Sequence, residues 1–527
     1  MRAQIEERLA RLDAAGGLQA LGSGITVGLE RECLRVAPDG VIAFTPHPRA
    51  LGSALTHPWI TTDYSEALLE LVTPPLGSPP QVLEFLRDLH LFVYRHIRPE
   101  LLWAGSMPCI LAGEENIPIA GYGTSNRGRM KHVYRVGLGH RYGRVMQVIA
   151  GVHFNCSFAD AFWESWQAVL GEGGRLRSFK DDGYMGLIRN LQRFGWLVPY
   201  LFGSSPAVCK TFLDGRPTRM PEFDESTYYE PYATSLRMGN IGYQNRREEG
   251  VGVKACYDSL GAYIKSLEHA IETPGLLWEE IGVVVDGEYR QLNANILQIE
   301  NEYYSTVRPK QILDGLEKPT LALRRRGIRY VELRSPDVNV FEPLGVDEDE
   351  LRFLEAFVLF CLLVDSPTIR LQERCEIDRN LEKVAHGGRD PQLCLLRAGL
   401  GVSLTAWASD LLAAMAPLCE VLEGVRGGEY RRVLADQQAK VDDPELTPSA
   451  RVLAEMRAHG DSFHGFARRQ AEGHRRHLGK LMPDAQRFAQ LEQEAAGSLA
   501  RQVAIEAADD VDFPTFLDRY FKQGRGG

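Results

Sequence analysis

No stretch of this chain is long and apolar enough to cross a bilayer; its longest apolar run, Ala356 to Val364, is far too short. Nor is there a surplus of positive charge. The formal net charge is −10, so nothing in bulk draws the chain to nucleic acid or an anionic membrane. The nine cysteines are scattered, with no CxxC pair and no metal-type spacing. Such a set reads as reduced thiols of a cytoplasmic protein. Met1 to Leu21 lacks an apolar h-region, so no secretory signal is expected. The GxxxxGK[ST] loop, the GxSxG elbow, HExxH and the kinase motifs are all missing. The run Gly137-Leu138-Gly139-His140-Arg141-Tyr142-Gly143 is too irregular for a dinucleotide fingerprint. No repeat, low-complexity block or Pro/Ser linker divides the chain.

What is present is an ordinary globular composition, 44% hydrophobic and 25% charged. Residues 2–21 read as an amphipathic helix stopped by glycines, and 24–74 as strand, loop, strand. A helix follows over 80–98, where Val82, Leu83, Phe85, Leu86 and Leu89 recur at three and four. Residues 119–144, rich in Gly, Arg and Tyr, read as a long functional loop plus strand, and 145–158 as a strand. A helical stripe covers 183–203, strands flank a turn at Asp286-Gly287 within 285–306, and 328–335 is a further strand. After 345 the texture turns helical, starting at a capping-box-like Asp347 and Glu350. The expectation is one body over 1–527: a sheet-bearing part to 345, with a mostly helical part, 346–527, packed on it.

The chemistry lies in the strands. In Ile25-Thr26-Val27-Gly28-Leu29-Glu30-Arg31-Glu32, alternation places Glu30 and Glu32 on the face opposite Ile25, Val27 and Leu29. Glu70 interrupts an apolar run, Gln147, His153 and Asn155 alternate with apolar residues, and Glu332 and Arg334 share a face. Each alone fits a solvated strand face or a core residue. Together they offer acids and an imidazole from half-buried strands, and ionised groups are seldom buried without a partner or a metal. An oxygen-dominated set suits Mg²⁺ or Mn²⁺ rather than Zn²⁺. With no phosphate loop, any phosphate is handled by metal and arginine, Arg334 foremost.

These residues carry a resemblance. Gly28-Leu29-Glu30-Arg31-Glu32, Glu66-Ala67-Leu68-Leu69-Glu70, Tyr122-Gly123-Thr124-Ser125-Asn126, Gly151-Val152-His153-Phe154-Asn155, Tyr232-Ala233-Thr234-Ser235-Leu236-Arg237, Arg308-Pro309-Lys310 and Glu332-Leu333-Arg334-Ser335 resemble, in order, the glutamate–cysteine ligase family of proteobacterial type. The resemblance implies an α+β fold: a curved, mainly antiparallel, glutamine-synthetase-like sheet surrounded by helices, with a helical C-terminal third. It implies ATP as co-substrate and ligation of L-glutamate to L-cysteine through γ-glutamyl phosphate. By the same resemblance Glu30, Glu32, Glu70, His153 and Glu332 face the metal, with Glu30, Glu332 and Arg334 catalytic. Asn301, Arg334 and Asn155 face the nucleotide, and Tyr134, Gln147, Arg237, Tyr243 and Tyr304 surround the amino acids. Glutathione is expected as a feedback inhibitor at the glutamate site. Two alternatives stay open: a ligase of this fold with another acceptor amine, and an inactive Mg·ATP-binding regulator.

Overall fold

The alternating row Ile25-Val27-Leu29 does form a strand, and a sheet is built around it. The structure is a computed structural model describing residues 1–111, 113–242 and 254–524. The main sheet has seven strands: β1 (Ile25–Val36), β2 (Ile60–Thr62), β3 (Leu68–Val72), β4 (Leu101–Leu102), β5 (Val152–Phe158), β6 (Val307–Lys310) and β7 (Tyr330–Leu333). All pairings are antiparallel, in the order β6-β7-β5-β1-β3-β2, with β4 on the end of β1. Pro309, which cannot donate to a ladder, sits on the edge strand β6. One face is apolar. Leu29, Leu69, Leu71, Phe154, Val331 and Leu333 are buried there, and the helices Pro79–His96, Leu176–Phe194 and Glu348–Leu363 pack against it. The α+β class with a helical C-terminal third is as expected. No helix of the described residues is long and apolar enough to cross a membrane.

Several local expectations are corrected. The N-terminal helix is two, Arg2–Ala14 and Gly17–Gly24, broken where Gly16 takes φ 69°. Residues 119–144 are no loop-plus-strand. Ser125 caps a helix, Asn126–Tyr142, by accepting from the Gly128 N–H at 3.1 Å. The glycines that suggested a loop admit neighbours instead: a Cβ at Gly137 would lie 2.2 Å from the Gln298 amide. The strand expected over 145–158 starts only at Val152, because Val145–Val148 is a 3₁₀ turn. Of 285–306, only Val284–Val285 and Glu288–Tyr289 pair, around Asp286 and Gly287 at positive φ. The helical third also holds a hairpin, Cys394–Arg397 with Leu400–Ser403. Cys109 and Cys209 are disulfide-bonded, which scattered spacing does not reveal; the other seven cysteines are free. As the capping box implied, Asp347 accepts from the Glu350 N–H at 2.7 Å.

Two features of the core recur below. At the end of the Leu404–Arg426 helix, Arg426 reaches back into the sheet layer. It pairs with buried Glu355 at 2.6 Å and donates to the carbonyls of Gly22 (2.6 Å) and Gly77 (2.8 Å), while the Tyr430 hydroxyl donates to Glu355. Near residue 500 the chain returns to the Asn126–Tyr142 helix. Glu506 accepts from the Thr124 N–H and Asp509 from the Asn126 N–H, and Phe513, Leu517 and Tyr520 pack on Met130 and Val133.

Burial also sets a pH dependence. His90 lies wholly inside beneath β1, and burial, aided by the charge of Arg31, drops its imidazole to about 3. Its folded value is below its ordinary value near 6.5, so the unfolded chain binds the proton better. The neutral-His90 contribution is whole above pH 6.5 and drains away as pH falls toward 3. His90→Asn is therefore expected to flatten the acid limb of a urea-stability profile by about 1.4 kcal/mol per pH unit. An unchanged slope would contradict this.

Candidate active site

The sheet register assembles the site. Glu30 on β1 stands opposite His153 on β5, and Glu32 opposite Glu70 on β3. Asn155 on β5 stands opposite Glu332 on β7, and Glu332 opposite Arg308 on β6. Partners in register share a face, as do residues two apart. Four strands thus contribute one polar row, Glu70, Glu32, Glu30/His153, Asn155 and Glu332, on the face turned from the core. Adjacent strands are about 4.8 Å apart, so from β3 to β7 the row spans about 14 Å.

His153 sits among three acids. Its Nδ1 is 3.0 Å from Glu30 Oε2 and 3.8 Å from Glu332 Oε1, and its Nε2 is 3.6 Å from Glu32 Oε1. Asn155 donates to Glu30 at 2.9 Å, and the Gly151 N–H to Glu32 at 2.6 Å. Glycine is required at 151 because a Cβ there would meet the Arg237 guanidinium at 2.0 Å. At the β6 edge, the ammonium of Lys310 lies 3.3 Å from Glu332 and the Arg334 guanidinium 3.5 Å from it. Arg334 thus folds back onto a residue two positions away, a pairing that parallel strand side chains do not favour. Arg237 donates to the carbonyls of Ser335 (3.1 Å) and Arg334 (2.9 Å) and stands 3.8 Å from Asp337.

The charges split along the row. Burial would raise the Glu332 carboxyl, but Lys310, Arg334, His153 and Arg308 hold it well below the ordinary range. Burial and Glu332 likewise push Glu30 up, but the hydrogen bond with His153 and the Lys310 charge leave it lowered. Burial raises Glu32. Glu70 is raised well above the ordinary value by burial, then by Glu30, Asp63, Glu32 and Glu332. Its carboxyl has no hydrogen bond or ion pair among the described residues. One end of the row is ion-paired to Lys310 and Arg334, and at the other Glu70 has no ion pair among the described residues.

A hard divalent ion suits the acids of this row. Glu30, His153 and Glu332 offer ligand atoms within 4.8 Å of one another, and the donors are carboxylates with one imidazole. The other expected residues fall in several places. Tyr304 lies near Arg237, Arg334 and Arg308, and burial raises its phenol against their pull. Tyr134 is half-buried on the Asn126–Tyr142 helix. Asn301 is exposed on the Glu300–Glu302 turn, where its carbonyl accepts from Arg308 at 3.1 Å. Gln147 is buried in its 3₁₀ turn, off the strand that alternation assigned it to, and no hydrogen bond joins its side chain to the row. Tyr243 lies outside the described residues. Sequence reasoning passed over Lys310, Arg308 and Lys131 as site residues. The first two were legible as the polar alternates flanking Pro309 on a short strand; Lys131 was hidden by reading its helix as a loop.

The sequence profile of glutamate–cysteine ligase matches residues 9–384. The chain belongs to the glutamate–cysteine ligase family. It is 48% identical to the glutamate–cysteine ligase of Alcanivorax borkumensis, over 98% of this chain and 99% of that protein. It is 50% identical to that of Pseudomonas putida, over 94% of each. A crystal structure of the Francisella tularensis glutamate–cysteine ligase in complex with AMP superposes with a TM-score of 0.89. It is 34% identical and covers 95% of this chain and 98% of that one. A bifunctional glutathione synthetase from Pasteurella multocida shares the fold, with a TM-score of 0.66 and 22% identity; the alignment covers 97% of this chain and 57% of that one. In this glutamate–cysteine ligase family member, two glutamates one residue apart stand opposite different strands, Glu30 opposite His153 on β5 and Glu32 opposite Glu70 on β3.

Proposed function

We propose that this chain joins the γ-carboxylate of L-glutamate to the amine of L-cysteine at the expense of ATP, giving γ-glutamylcysteine, ADP and phosphate. The carrying observation is the acid row, which gathers Glu70, Glu32, Glu30, His153 and Glu332 on one face of four strands; family membership supports it. A carboxylate resists attack by an amine because its negative charge must be displaced. Transfer of the γ-phosphoryl group of ATP to a glutamate oxygen makes that oxygen a leaving group. The cysteine nitrogen then forms the C–N bond, loses a proton, and phosphate departs. Glu30, Glu32, Glu70, His153 and Glu332 would hold magnesium, which would supply charge neutralisation for the phosphate groups. Arg334 lies beside Glu332, where it can neutralise the transferring group. The Arg237 Nε, buried and without a partner among the described residues, is a donor available to an amino-acid carboxylate. Burial of the row limits the water that would hydrolyse an acyl phosphate.

The reading includes a single catalytic body, supported by one cluster of buried apolar residues running from Ile5 to Ala495, and a cytoplasmic location. It also includes glutathione as a competitor of glutamate. ADP release is expected to require glutamate, cysteine and Mg²⁺ together. Arg334→Ala is expected to lower kcat by about 10²–10³-fold, and glutathione to raise the apparent KM for glutamate. ADP release equally fast without cysteine, or faster with another amine, would sink the assigned acceptor. An initial-rate titration in which glutathione has no effect removes the competitor.

A further inference from the structure

The two ends of the acid row are closed differently. At the β6 end Lys310 is spent on Glu332. At the β3 end stands Lys131, on the second turn of the Asn126–Tyr142 helix. Its ammonium lies 4.3 Å from the centre of the Tyr122 ring, and the Arg135 guanidinium one turn on lies 4.7 Å from the same ring. Tyr122 is held in place, its hydroxyl donating toward the Thr62 and Asp63 carbonyls at 3.0 Å. Arg135 is consumed by backbone, donating to the Asp63 and Lys131 carbonyls. Lys131 is not consumed. Among the described residues its Nζ has no hydrogen-bond acceptor and no carboxylate within ion-pair distance. Glu70 and Asp63 are the acids it feels, while Arg135 and Arg127 oppose its charge.

Burial pushes the Lys131 ammonium down to about 7, with Arg135 adding to the push. A half-buried cation with no anion is costly, and this one lies within the influence of Glu70 in the acid row. Besides the reacting γ-carboxylate, three anionic groups must be received there: a triphosphate and two amino-acid α-carboxylates. The triphosphate has Arg334, beside Glu332 at the far end of the row. One carboxylate has Arg237. Resting on the ligase reading above, we propose that Lys131 binds the α-carboxylate of the second amino-acid substrate. An ammonium suits this role because it is a point charge with three donors, able to meet a carboxylate on the side turned from the Tyr122 ring.

The test compares Lys131→Gln and Lys131→Arg with the unaltered protein in initial-rate kinetics. It adds calorimetric titration of L-glutamate and of L-cysteine in the presence of Mg²⁺ and a non-hydrolysable ATP analogue. Lys131→Gln is expected to weaken one amino acid, in both KM and Kd, by about 10- to 100-fold, leaving the KM for ATP unchanged. Lys131→Arg should recover part of the loss, and which amino acid responds names the carboxylate. A rise in the KM for ATP, a fall in kcat with both amino acids bound normally, or no change overturns the assignment. A melting temperature within a few degrees of the unaltered protein's separates loss of binding from loss of fold; if Lys131→Gln melts early, Lys131→Arg decides, and its amino-acid affinity must then stay within a few-fold. Unaltered protein that fails to release ADP with both amino acids present sinks the ligase reading instead.

Discussion

Glu30→Gln is expected to lower kcat by about 10³-fold while leaving the protein folded. Glu30 is the hinge of the polar row: one carboxylate oxygen meets His153 at 3.0 Å, the other accepts from Asn155 at 2.9 Å. With Glu332 and His153 it forms the tightest group of ligand atoms in the site. The amide keeps the volume and one acceptor but loses the charge, and its NH₂ cannot ligate a cation. Losing several kcal/mol of charge stabilisation around a transferring phosphoryl group corresponds to about that factor. Like-charge repulsion from Glu332 falls, but the pull of His153 and Lys310, which outweighs it, is lost as well, so the melting temperature should fall by no more than a few degrees. ADP release under saturating substrates and Mn²⁺ titration of the free protein provide the two readings. A variant that keeps a third of the normal rate, or binds Mn²⁺ as the unaltered protein does, would show that Glu30 does not hold the cation.

Arg426→Met is expected to cost about 3–5 kcal/mol of stability, the usual consequence of stranding one partner of a buried ion pair. Glu355 is fully buried, and burial already lifts its carboxyl against the pull of Arg426 and the Tyr430 hydroxyl. Removing the guanidinium leaves that acid without its cation and the carbonyls of Gly22 and Gly77 without a donor. Replacing both partners, Glu355→Leu with Arg426→Met, should recover much of the loss, because an apolar pair of similar volume carries no stranded charge. Urea unfolding of the single and double variants measures both quantities. A double variant no more stable than Arg426→Met alone would mean that the carbonyl bonds, not the ion pair, set the cost.

How far the sequence disclosed this site follows from period. Strand alternation is a strict signal, and it put Glu30, Glu32 and His153 on strands with the correct facing, while Glu70 stood out only as an acid interrupting an apolar run. It says nothing of which strands are neighbours, so the pairing of Glu32 with Glu70 rather than with His153 was not legible. Gln147 was misassigned because polar–apolar alternation continues by chance through the 3₁₀ turn before β5. The Asn126–Tyr142 helix was missed for the opposite reason. Its glycines and arginines suppress the apolar 3.6-residue stripe, and its stability comes from partners hundreds of residues away. Lys131 went unnoticed with it. The helical third was legible as helix but silent on where it docks, since its apolar faces specify burial and not a partner.

That docking bears on how the molecule comes into being. Thr124, Asn126, Met130 and Val133 meet residues 506–520, which a ribosome adds long after the helix itself. Until then the helix carrying Lys131 and Tyr134 lacks its backing, so a growing chain holds the acid row before that helix is fastened. Catalytic competence is therefore expected only once residues 506–520 have been made and have docked.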